Sequence, residues 1–66
     1  MKEQFKEASK HAAKFISKYP NKVVEITSLL VLLESKILEG GSPDNELNHF
    51  INDLKELEKE IVYGKD

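Results

Sequence analysis

The run Gly40-Gly41-Ser42-Pro43-Asp44 constrains this chain more than any other stretch. Gly40 can take the left-handed conformation that ends a helix, Ser42 can cap the next one, and Pro43 suits a helix's first position, where its missing N–H is no loss. Tyr19-Pro20-Asn21 is a second, weaker break, because proline lacks a donor and disfavours helical geometry in the residue before it. The two breaks cut 66 residues into three segments, and each segment carries helical periodicity.

A helix advances by about 100° per residue. On that measure Phe5, Ala8, Ala12, Phe15, Ile16 and Tyr19 share an arc of roughly 100°, one narrow buried face. Leu47, Phe50, Ile51, Leu54, Leu57, Ile61 and Val62 share an arc of about 140°, again one face. The sequence therefore predicts an all-α, three-helix bundle in a single domain over 1–66, with helices at about 2–18, 22–39 and 43–63. There is no internal repeat.

The middle segment carries more apolar surface than two short neighbours can cover. Val23, Ile26, Leu29, Leu30, Leu33 and Ile37 form one broad face, the wall shared with the other helices. Val24, Val31 and Leu38, spaced by sevens and flanked by Thr27, Ser28, Glu34 and Ser35, form a second seam, and Leu32 lies on yet another side. A helix apolar nearly all round is expected in the middle of a larger core. A chain of this length is also near the lower limit at which one core offsets the entropy of ordering, so disulfides, metal or oligomerisation commonly assist. With no cysteine, disulfides and thiolate metal sites are excluded. A homodimer completed through helix two is the expectation, with Val24, Thr27, Ser28, Val31, Ser35 and Leu38 at its interface and the two serines allowing close approach.

Charge divides the chain as sharply as the breaks do. Residues 1–22 hold lysines at every fourth position (Lys2, Lys6, Lys10, Lys14, Lys18 and Lys22) against Glu3 and Glu7, a net of +4, whereas residues 23–66 carry a net of −6. Steps of four residues drift by about 40° each, so the row wraps around the solvent side of helix one. Neighbouring lysines repel by a few tenths of a kcal/mol per pair, so local helix stability does not explain the row, although a solvated face and the macrodipole preference near a helix C-terminus partly do. A nucleic-acid interface is the runner-up reading. It is weakened by the lack of arginine, by the overall charge of −2 and by the absence of aromatic side chains among the lysines. The leading expectation is a basic partner-binding face of Lys6, Lys10, Lys14, Lys18 and Lys22.

An acidic counterpart lies on helix three. Glu46, His49, Asp53, Glu56 and Glu60 fall within about 80° of one another, a strip expected to face a basic partner or the lysines of helix one. Glu46 and His49 also make a Glu-x-x-His step, but di-iron bundles need inward carboxylates from four helices, so no metal or other cofactor is expected. Glu58 falls in the middle of the apolar arc. The preferred explanation is a helix end at the bundle rim, where the carboxylate reaches water; the alternative is a buried partner for a lysine or tyrosine, or else a contact residue on an exposed apolar binding face. His11 reads as a surface histidine.

No Ser/His/Asp set, Gly-rich phosphate loop or room for a concave pocket supports catalysis or a small-molecule substrate. The start, Met1-Lys2-Glu3-Gln4-Phe5, is not followed by the apolar region of a signal peptide. Val23 to Leu33 is the most apolar stretch and is far shorter than the roughly 20 residues that span a bilayer, so no membrane partner is expected. The expectation is a cytoplasmic, non-enzymatic interaction module, regulatory, inhibitory or adaptor in kind, whose partner is another protein.

Overall fold

In a computed structural model, residues 3–64 are described, and they form three α-helices: α1 (Glu3–Lys18), α2 (Val23–Leu38) and α3 (Pro43–Val62). The first two residues and the last two, Lys2 of the lysine row among them, lie outside the described residues. The described chain contains no strand, and the fold is all-α.

The breaks act through their backbones. After Leu38 the chain closes with Gly41 N–H donating to the Lys36 carbonyl (2.9 Å) and Gly40 N–H to the Ile37 carbonyl (3.0 Å), the paired bonds of a Schellman stop. Gly40 has φ +102°, a conformation that a side chain strains. Gly41 is required for a different reason, since a Cβ there would sit 2.8 Å from the Lys36 carbonyl oxygen. Pro43 takes the first turn of α3, and Ser42 holds the capping position, but its side chain makes no capping hydrogen bond. Ser42 acts only through its carbonyl, which accepts from Glu46 N–H at 2.9 Å. The Tyr19-Pro20 break is not an open loop: Pro20–Lys22 forms one turn of 3₁₀-helix that runs straight into α2.

Each helix packs on both others. Gln4 donates to Asp44 (2.8 Å) at one end, and Lys18 donates to Glu58 (3.0 Å) at the other. Both pairs are separated by forty residues, so α1 and α3 run parallel in one register, with α2 returning between them. The core is Ala8, Ala12 and Phe15 from α1, Ile26 and Leu33 from α2, and Phe50 and Leu54 from α3. The two alanines, four residues apart, leave α1 without bulk where the other helices approach. The result is a bundle of 36 × 18 × 15 Å.

Candidate interaction surfaces

The most exposed apolar surface is the outward face of α2. Val24 is 72 % exposed, Val31 57 % and Leu38 80 %, and Thr27, Ser28 and Ser35 beside them are exposed as well. All six seam residues therefore stand on one face, opposite buried Ile26 and Leu33, as the helical arithmetic requires. Leu32, left outside the seam by the sequence reading, is 51 % exposed and lies in the shallow α2–α3 groove with Lys36, Glu46, His49 and Asp53. Val24, Val31, Leu32 and Leu38 would each recover about 1.5–3 kcal/mol on full burial, less the part already covered.

The acidic strip occupies the α2 flank of α3. Glu46 is half-buried there, while His49, Asp53, Glu56 and Glu60 are exposed. That position rules out pairing with α1 inside one protomer, because α1 packs against the other flank of α3. The only strip residue in an ion pair among the described residues is Glu56, which meets Lys59 of its own helix at 3.6 Å. The expected complement between the strip and the lysines of α1 is not made within the protomer. Nor do three or more of the described carboxylates and histidines converge as metal ligands would.

The lysine row divides according to its drift around the helix. Lys6, Lys10, Lys14 and Lys18 are exposed and Lys22 is half-buried. Lys10 pairs with Glu7 (4.0 Å) and Lys22 with Glu25 (3.8 Å), both within one turn of chain. Lys14 and Lys18, further round the helix, reach the α1–α3 groove, whose lining also includes His11, Phe15, Ile51, Leu54, Lys55 and Glu58. The sequence reading did not assign Lys55 to any site. The helical wheel sets it on the same side of α3 as Ile51 and Glu58, and the packing makes that side the one that meets α1.

Glu58 anchors the end of that groove. One carboxylate oxygen accepts from Lys18 Nζ at 3.0 Å and from the Tyr19 hydroxyl at 2.9 Å. Lys18 stands 5.5 Å above the Tyr19 ring, and Tyr19 packs against Phe15 with centroids 5.0 Å apart. The carboxylate is at the rim, as preferred, and it also has the lysine and tyrosine partners of the alternative, without being buried. Hydrogen bonds from Lys18 and then Tyr19 hold Glu58 below the usual carboxylate range. The bond to Glu58 raises Lys18, and the same bond together with burial raises Tyr19.

The pH consequences follow by sign. A depressed carboxylate stabilises the fold above its unfolded value, and that contribution is lost as pH falls below about 4. Raised Lys18 and Tyr19 contribute below their unfolded values, and their share is lost as pH climbs past about 10. In a Tyr63→Phe background, which leaves one phenol, ultraviolet titration should find Tyr19 ionising above the ordinary tyrosine value. Glu58→Ala should bring it down. Identical titrations with and without Glu58 would show that the three-residue contact does not form.

No described helix is long and apolar enough to cross a membrane. No protein-family model, curated protein or solved structure matches this chain, and its surface geometry is therefore the ground on which a function can be assigned.

Proposed function

We propose that the chain is a non-enzymatic protein-protein interaction module that self-associates as a homodimer through α2. The observation that supports this reading is the seam of Val24, Val31 and Leu38, more than half exposed at every position, on a helix whose other side is already the core. A contiguous apolar face of this kind marks an interaction site more often than a tolerated defect.

A second copy suits the seam because the seam is self-complementary. With two α2 helices antiparallel about Val31, Val24 of one copy meets Leu38 of its mate, Val31 meets Val31, and Thr27 and Ser28 meet Glu34 and Ser35. No like charges are set opposite each other, and the hydroxyls can donate to the Glu34 carboxylate. The small serines permit close approach of the two backbones. A dimer of this kind acts by tethering, blocking or bridging a target.

Light scattering across a concentration series tests the self-association. The mass should approach twice the 7.5 kDa of the chain as concentration rises. A monomer at roughly 100 μM, where any association stronger than about −5.5 kcal/mol registers, would remove the dimer from this reading.

A further inference from the structure

We propose that the α1–α3 groove docks an acidic segment of a partner protein, one that carries apolar anchors between its carboxylates. The inference rests on reading the chain as a protein-binding module, but not on its self-association.

The groove has an apolar floor and a cationic rim. Phe15, Ile51 and Leu54 make the floor, and Lys14, Lys18 and Lys55 stand along it. The surface continues past Lys55 and Glu58 to the end of α3, where Val62 and Tyr63 line it and are both largely exposed. From Ile51 to Tyr63 the path is about 18 Å, a little over three helical turns. A short amphipathic segment matches that length, and an exposed tyrosine at one end is the kind of side chain that anchors interfaces.

Charge identifies the occupant. Among the described residues, Lys10, Lys18, Lys22 and Lys59 each have a carboxylate within 4.0 Å, while Lys6, Lys14, Lys36 and Lys55 have none. Two of those four unpaired cations line this one groove, with His11 beside them. Lys18 is held by its bond to Glu58 and stands over the Tyr19 ring, so part of the rim is ordered before anything binds, which lowers the entropy lost on docking. A basic segment would be repelled along the rim, and an uncharged one would leave the lysines unanswered.

A protein segment fits better than nucleic acid. The floor is aliphatic apart from Phe15, whose ring packs tilted against Tyr19, so the floor offers no stacking face for a base, and exposed Tyr63 stands at the far end of the surface. There is no arginine to take phosphates bidentately, and a phosphate backbone brings no apolar side chain to the floor of Phe15, Ile51 and Leu54. The groove also lies across the bundle from the α2 seam. Two copies joined by that seam would present two such grooves facing outward, a bivalent arrangement able to bridge two targets.

The test is selection of a random displayed-peptide library on the intact chain, with binding of the enriched peptides then measured on purified variants. Enriched peptides should combine Asp or Glu with aliphatic or aromatic residues. Their affinity should fall by about tenfold or more in Lys14→Glu/Lys55→Glu, a double change of exposed residues whose helicity is checked by circular dichroism, and should weaken as salt rises. Val31→Glu should leave it intact, which separates this site from self-association. The proposal is overturned by a library that yields nothing, by basic or charge-neutral consensus peptides, by affinity that ignores the double reversal, or by equal binding of polyglutamate lacking anchors. An oligonucleotide that binds more tightly than the peptides, and is lost in the same double variant, overturns it in favour of nucleic acid.

Discussion

Val31→Glu is expected to leave the three-helix protomer folded and to abolish its self-association. Val31 is 57 % exposed and points away from Ile26 and Leu33, so in the isolated protomer the new carboxylate stands in water. Glutamate is also a slightly better helix former than valine. In the proposed dimer the same position lies at the centre of the seam and occurs twice, so the substitution brings two unpaired carboxylates together in an apolar contact. Leaving one charge buried without a partner costs several kcal/mol, enough to dissociate a small interface entirely. Light scattering should report a monomer where the parent chain is associated, with an unchanged far-ultraviolet spectrum. The thermal midpoint should also become independent of concentration, because only an associating protein gains stability from mass action. Undiminished association in this variant would show that the chain uses a different surface.

Sequence periodicity reaches each helix singly and stops where two helices meet. The Gly40-Gly41 stop and Pro43 start were legible because their physics is local: a positive φ, a close carbonyl and a missing N–H. So was the excess of α2, since no rotation of a helix can bury Leu33 and Val31 together. The relations across helices were not legible. Nothing in the wheel of α3 said which flank would meet α1, so the acidic strip could be imagined facing the lysines, although the bundle sets it toward α2. Lys55 and Lys14 are forty-one positions apart and share a groove only because α1 and α3 run parallel in register. Glu58 was recognised as anomalous on its apolar arc, but the double acceptance from Lys18 and Tyr19 depends on how the end of α1 abuts α3. Sequence thus located the unusual residues, and the packing supplied their neighbours.

Phe50→Ala should unfold the chain at ordinary temperature or come close to it. Phe50 is almost completely buried, in one cluster with Ile26, Leu33 and Leu54, and it is the bulkiest core side chain that α3 contributes. Truncating a buried phenylalanine costs about 3–5 kcal/mol, the lost transfer energy plus the cavity left behind. A domain of this size has a total stability of only about 3–10 kcal/mol, and small cores without disulfides sit toward the lower end. The substitution therefore removes most of what holds α3 to the other two helices. Thermal denaturation should show a midpoint lowered by more than about 10 °C, or no cooperative transition at all. Phe50→Leu, which refills most of the volume, should recover the larger part. The contrast with Val31→Glu is the informative comparison: one apolar residue changed inside the protomer destroys the fold, and one changed on the outward face of α2 spares it. If Phe50→Ala instead melts within a few degrees of the parent chain, the docking of α3 against α2 is wrong, and the groove bounded by α1 and α3 loses the helix that forms its far wall.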